Sequence, residues 1–224
     1  MLQKRIIPCL LLHKGGLYKT EKFKKPTYIG DPINAIKIFN EKEVDELMFL
    51  DIDASAENKE PNYKMIEDIA SECFMPLCYG GGVKTIEQMK KIYALGVEKI
   101  SLSSQAVLNS NIIKEAASVF GNQSIIVIID VKKDFWGKKK VFINNGKKNT
   151  KLNPIEFVKQ VETLGAGEIV INSIDNDGTM KGYDIKLIKE IKENTKVPIV
   201  ALGGAGSLNH ITDIFDNSNV DAVA

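Results

Sequence analysis

Two stretches of the chain have residues that could hold a phosphate. Pro76-Leu-Cys-Tyr-Gly80-Gly81-Gly82-Val-Lys-Thr85 and Pro198-Ile-Val-Ala-Leu-Gly203-Gly204-Ala-Gly206-Ser207 each read as a short buried strand, a glycine turn and the start of a helix. Glycine tolerates positive φ and lets backbone N–H groups approach a ligand closely. N–H groups at a helix start lack intrahelical partners and carry the positive end of the dipole, which suits an anion. One such turn is a weak signal. Two of them, each following a proline at the same distance, predict a duplicated framework that grips two ends of one ligand. A single aspartate, Asp130 in Ile-Ile-Asp130-Val, ends another apolar run and is a candidate acid or base.

Those residues need strands to carry them. The apolar runs 5–12, 46–52, 76–80, 99–103, 124–130, 168–172, 198–202 and 220–224 read as strands, and they are continuous instead of alternating, as expected when both faces are covered. Helices are predicted at the Asp31-Pro32 start and over 62–74, 84–94, 109–119, 154–163, 184–194 and 207–215. Residues 13–30 read as a long polar loop, and the lysine-rich insert 132–152 as a small hairpin around Asn145-Gly146. Eight strands interleaved with seven helices predict an α/β fold, a (β/α)8 TIM barrel, forming one domain over 1–224. Glu46 and Glu168, Asp53 and Asp175, Pro76 and Pro198 share one constant spacing, which also relates Gly81 and Gly82 to Gly203 and Gly204. The barrel is therefore read as two duplicated half-barrels, about 1–121 and 122–224.

Composition narrows the function classes. A formal charge of +1 argues against a polyelectrolyte partner, so no nucleic acid is expected. Three cysteines without a C-x-x-C pair, and two histidines, argue against a disulfide framework, a structural zinc or another metal site. No run approaches the ~18 apolar residues of a membrane span, and a cytoplasmic protein without a cofactor is expected.

The opening Lys4-Arg-Ile-Ile-Pro-Cys-Leu10, the run Asp45-Glu-Leu-Met-Phe-Leu-Asp-Ile-Asp-Ala-Ser55, Gly80-Gly-Gly82 and Asp175-Asn-Asp-Gly-Thr179 together resemble the cyclase subunit of imidazole glycerol phosphate synthase, HisF. The resemblance covers essentially the whole chain. It implies a partner glutaminase, HisH-like, on the N-terminal face. Ammonia would pass through the barrel to a bisphosphate ribonucleotide at the C-terminal face. It also implies two catalytic aspartates, at the ends of strands one and five. Asp130 matches the second, but Leu11 stands where the first belongs, and an isobutyl group cannot move a proton. His13, two positions on, would face the same interior if the strand continued. Lys19 and Phe23 match the family's mobile loop.

By the same resemblance Gly81, Gly82, Ser103 and Ser104 form a first phosphate site and Gly178, Gly203 and Gly204 a second, while Arg5, Glu46, Lys99 and Glu168 form a charged gate for ammonia at the barrel base. The bland alternatives are helix caps, tight turns and an ion-paired plug; Asp51 and Asp53 equally suit a turn cap. The chain stops at Ala224, where the resemblance implies a further turn and an eighth helix, so a C-terminal truncation after strand eight is expected. The leucine, with Gly-Gly-Leu-Tyr-Lys-Thr after it, resembles a paralogous branch associated with acetamidino-sugar synthesis in surface polysaccharides. That implies an ammonia-conducting subunit beside a sugar-amidating enzyme. The alternative is a cyclase, a lyase of histidine biosynthesis, that tolerates Leu11; a phosphosugar isomerase is a weaker third.

Overall fold

The computed structural model describes residues 4–224. In chain order it contains β1 (Arg5–Ile6), β2 (Cys9–His13), β3 (Gly16–Glu21), β4 (Lys24–Gly30), α1 (Pro32–Glu41), β5 (Leu47–Asp51), α2 (Ile52–Ala56), α3 (Tyr63–Glu72) and β6 (Leu77–Gly80). Then come α4 (Ile86–Ala94), β7 (Lys99–Leu102), α5 (Ser104–Leu108), α6 (Asn111–Phe120), β8 (Ile125–Lys133), β9 (Lys139–Ile143), β10 (Lys148–Asn149) and α7 (Pro154–Thr163). β11 (Glu168–Ser173), α8 (Ile185–Lys192), β12 (Ile199–Leu202), α9 (Leu208–Ser218) and β13 (Ala222–Val223) complete it. Among the described residues no helix is long and apolar enough to cross a membrane.

The strands run parallel in the order β1-β13-β12-β11-β8-β7-β6-β5-β2. Since β1 and β2 belong to one segment, that order closes a (β/α)8 barrel. Pro8 sits at the seam: Ile7 N–H still donates to Val223 on one side at 2.8 Å, and Met48 N–H donates to the Pro8 carbonyl on the other at 3.0 Å. Proline removes a donor but keeps its acceptor, so it fits where the strand changes neighbours. Side chains alternate between two cores. Leu47, Phe49, Leu77, Tyr79, Ile100, Val127 and Ile169 pack outward against the helices. Ile7, Met48, Cys78, Ile126, Ile128, Val170, Val200 and Ala222 fill the barrel. This is the packed interior expected of the fold.

Helix starts follow the sequence. Asp31, Asn62, Asn153, Asp184 and Ser207 each accept a backbone N–H in the first turn of the following helix. Thr85 and Gln88 make a reciprocal capping box on α4, directly after the first glycine turn.

Three expectations need correction. Residues 16–30 are not a loop but an antiparallel hairpin, β3 with β4, registered through Tyr18↔Tyr28 and Lys19↔Thr27. Buried Leu17 anchors it, and a polar, lysine-rich strand pattern hid it. The insert contains the expected turn at Asn145-Gly146, yet its larger part is a hairpin made by β8 running past Asp130 to pair with β9. The short helices α2 and α5 fill the turns after β5 and β7, so the helix expected from 109 starts at Asn111.

Candidate functional site at the barrel mouth

A cavity of about 300 Å³ opens at the C-terminal ends of the strands. Cys9, Leu11, Leu50, Ser101, Ile128, Asn172 and Leu202 line it from the barrel, and Tyr18, Lys19, Thr20 and Phe23 from the hairpin. Of the expected site residues it gathers Asp130, Leu11, Lys19, Gly81, Gly82, Ser103, Ser104 and Gly178. Gly203 and Gly204 are not among its lining residues. Their turn packs on the chain's own backbone: Gly182 N–H donates to the Gly204 carbonyl at 2.8 Å, and a Cβ on Gly204 would lie 2.2 Å from the Gly182 oxygen.

Asp130 is the chemical centre of the cavity. Ser103 Oγ donates to its Oδ2 at 2.9 Å and Asn172 Nδ2 to its Oδ1 at 3.2 Å. Burial pushes its pKa up to about 7, with Asp177 adding to the rise and the two hydrogen bonds opposing it. A carboxyl group at that value exchanges protons near neutral pH, as a general acid or base must. Asp177 is also pushed up by burial, to about 6. Its carboxylate accepts from Thr20 Oγ1 at 3.4 Å, and its carbonyl accepts from Lys22 N–H at 2.9 Å. It thereby ties the hairpin tip across the cavity. Cys9 is an apolar packer, its thiol pushed up to about 12 chiefly by burial.

Asn172 and Asp177 carry more of this site than their sequence neighbourhood suggested. A signal for Asn172 existed. Glu168 faces inward, strand side chains alternate, and Asn172 therefore shares the inward face. The same count takes Lys99 to Ser101 and Ser103.

His13 does not join the cavity. Its Nδ1 lies 2.6 Å from Asp53 Oδ1, and Lys14 N–H donates to Asp53 Oδ2 at 2.8 Å, on the rim of a separate pocket. Pairing of β2 with β5 ends at Leu12↔Asp51, so His13 has left the barrel and follows the hairpin instead. Asp51 caps α2, accepting from Asp53 and Ala54 N–H at 2.9 and 3.0 Å. Asp175 accepts from Lys133 N–H at 2.9 Å.

Gly178 makes the hairpin's closed seat possible. Its φ is +68°, and an added Cβ would lie 2.0 Å from the Thr20 carbonyl. Gly178→Ala is expected to lift the hairpin and cost about 1 kcal/mol or more of stability. Trypsin should then cut at Lys22 and Lys24 several-fold faster; an unchanged rate would show that the seat does not hold the hairpin.

At the opposite end, four charges close the barrel base. Glu46 Oε2 accepts from Arg5 Nη1 at 2.9 Å and from Lys99 Nζ at 2.6 Å. Glu168 pairs with Arg5 through Nη2 and with Lys99 at 3.4 Å. Both glutamates are buried, and Glu46 Oε1 has no hydrogen-bond partner among the described residues. Among the described residues no cluster of His, Cys, Asp or Glu could hold a metal ion.

Comparison with known proteins agrees with this architecture. The family model described as histidine biosynthesis protein matches residues 5–224. A Pseudomonas aeruginosa protein carrying the imidazole glycerol phosphate synthase designation hisF2 is 53% identical over 224 residues, 100% of this chain and 89% of its own length. A Leptospira borgpetersenii protein with the designation HisF is 53% identical over 225 residues, again 100% of this chain and 89% of its own. The imidazole glycerol phosphate synthase subunit HisF of Methanococcus vannielii is 41% identical over 244 residues, covering 99% and 89%. By a match that runs from Arg5 to Ala224 and by these identities, the chain belongs to the histidine biosynthesis protein family and is of the HisF type.

Proposed function

We propose that this chain is the ammonia-conducting barrel of a glutamine-dependent amidotransferase complex. A HisH-like glutaminase docks on the N-terminal face, and the ammonia it releases serves sugar amidination in surface-glycan synthesis instead of imidazole formation. The chain acts as one barrel of two related halves, about 1–121 and 122–224. The observation that carries the reading is Leu11. It lines the cavity that Asp130 also lines, so the site lacks one of the two carboxylates that a cyclisation with separate acid and base roles requires. Asp177 also lines the cavity, but its Oδ2 accepts from Thr20 of the hairpin, and Asp51 is taken up in capping α2.

The rest of the molecule suits ammonia passage. Arg5, Glu46, Lys99 and Glu168 form a gate at the entry, and the apolar interior of Ile7, Met48, Ile126 and Val170 leads from it toward Asp130. The alignment with the Methanococcus vannielii subunit needs 244 positions, against 224 with the hisF2-designated relative, which supports a divergence from the cyclases. At the mouth, Gly81, Gly82, Ser103 and Ser104, with Gly178 nearby, form the surface on which a small phosphorylated ligand would rest, under Lys19. Gly203 and Gly204 would support it from behind.

The test is direct. The purified chain, given ammonium and the bisphosphate ribonucleotide of the cyclase reaction, is expected to release no imidazole product. With its glutaminase it should still form a complex and stimulate glutamine hydrolysis. Turnover near that of an intact cyclase would overturn the proposal and establish the lyase reading.

A further inference from the structure

The lysine-rich insert does not contribute chemistry to the cavity beyond Asn145 at its base. Its far end, however, has the features of a contact surface. Phe135 and Trp136 stand 93% and 80% exposed at the tip of the β8–β9 hairpin, their rings edge-to-face at 5.8 Å. Two adjacent aromatics in water at one tip are costly, and the fold does not require them: a turn needs neither side chain.

The tip is also held rigidly. Asp134 Oδ1 accepts from Trp136 N–H at 3.0 Å and Lys138 N–H at 2.9 Å. Asp134 N–H donates to the Lys138 carbonyl at 2.8 Å, and Gly137 N–H donates back to the Asp134 carbonyl at 3.0 Å. At the base, Asp175 holds Lys133 N–H at 2.9 Å. A backbone fixed in this way has little entropy left to lose when a partner covers the tip, which favours a binding hot spot there.

Charge indicates the partner's surface. Lys132, Lys133, Lys138, Lys139 and Lys140 flank the pair, and the one acid, Asp134, is spent on the turn. Lys139 is neutralised by Asp184 at 2.7 Å; the others are not in ion pairs among the described residues. Position indicates its role. β8 supplies Asp130 to the cavity and Lys133 to the hairpin stem, so at ~3.3 Å per residue the tip stands within roughly 20 Å of the mouth. Met180, 65% exposed, lies on the neighbouring loop after β11.

Resting on the proposed function, we infer that the Phe135–Trp136 tip with its lysine flank is the docking site for the protein that consumes the ammonia, an enzyme presenting an apolar recess inside an acidic face. The tip seats that enzyme over the mouth, so that ammonia passes between the two without entering bulk water. A glutaminase at the opposite end is unaffected by it.

The experiment uses the purified chain, its glutaminase and the sugar-amidating enzyme of the same organism. The double variant Phe135→Ser/Trp136→Ser is expected to weaken binding of the amidating enzyme by roughly 30-fold or more. Glutaminase binding, glutamine hydrolysis and thermal stability should stay unchanged. Reversing the flank with Lys133→Glu and Lys138→Glu should slow association and remove its salt dependence. Glutamine-dependent amidination should fall in the aromatic variant while ammonium-dependent amidination persists. Equal binding by wild type and the double variant would overturn the docking site and leave the ammonia function standing. So would loss of self-association alone, or loss of binding to vesicles of phosphatidylglycerol and phosphatidylethanolamine alone, which would assign the tip to a second copy or a membrane. Failure of glutamine to support amidination even in the wild-type assembly would remove the function and the docking site together.

Discussion

Asp130→Asn is expected to make the protein more stable above pH 7 while removing whatever proton chemistry its cavity performs. The carboxyl group sits 8% exposed, and burial raises its pKa from 3.8 to about 7. Between those two values the folded protein keeps a proton that the unfolded chain has released. The contribution of protonated Asp130 is therefore fully present below pH 3.8, declines as pH rises through the window and is lost above about 7. At 1.36 kcal/mol for each pH unit, the full penalty is on the order of 4 kcal/mol.

Asparagine resembles the protonated acid. Its oxygen can accept from Asn172, and its amide can donate to Ser103, whose hydroxyl serves either way. Urea unfolding at pH 5 and pH 8 reads the difference. The wild type should lose stability between the two, with Asp177 adding a slope that ends near its own value of about 6. The variant should lose less and gain on the order of 2–4 kcal/mol over the wild type at pH 8. Parallel pH profiles would show that Asp130 is not buried in its acid form. A carboxyl group this costly is not there to stabilise the fold at neutral pH.

The strands and helices were readable because their signals are local. Continuous apolar runs and Asp31-Pro32 each specify an element without reference to the rest of the chain. The charged ring was legible through the resemblance, and its mutual neutralisation follows because unpaired charges inside a barrel would be prohibitive. What stayed hidden depends on contacts between distant segments. The β3–β4 hairpin is polar on its outer face and takes its position from Asp177 and Gly178, which lie far along the sequence. His13 follows the strand period but leaves the barrel because Asp53, brought up by α2, captures its ring. The two glycine turns look equivalent in sequence. In the fold only the first lines the cavity, because the 178–182 segment lies against the second. The aromatic tip of the insert gave no periodic signal, and its exposure became visible only with β8 extended past Asp130.

The second large effect concerns the ring. Glu46→Gln is expected to leave Arg5 and Lys99 sharing only Glu168, and Lys99→Met to leave two buried glutamates with only Arg5. Either change strands a charge in a low-dielectric site and should cost about 3 kcal/mol or more. The double variant Glu46→Gln/Lys99→Met restores neutrality. It should recover about 2 kcal/mol relative to the sum of the single losses, measured by urea unfolding at constant salt. Additive losses would show that the four residues do not act as a unit.

The same comparison bears on why the ring exists. Replacing a buried charge cluster by apolar side chains of similar volume is often neutral or stabilising. If stability alone were served, an apolar layer continuous with Ile7, Met48, Ile126 and Val170 would close the barrel at least as well. Four mutually neutralising charges offer what that layer cannot: donors and acceptors that can exchange partners as a small polar molecule passes. Glu46 Oε1, buried and without a hydrogen-bond partner among the described residues, would be an acceptor available for such an exchange. If the ring is the proposed ammonia entry, the coupling energy in the cycle measures how tightly that entry is held shut, and a strong coupling is what a plug would show.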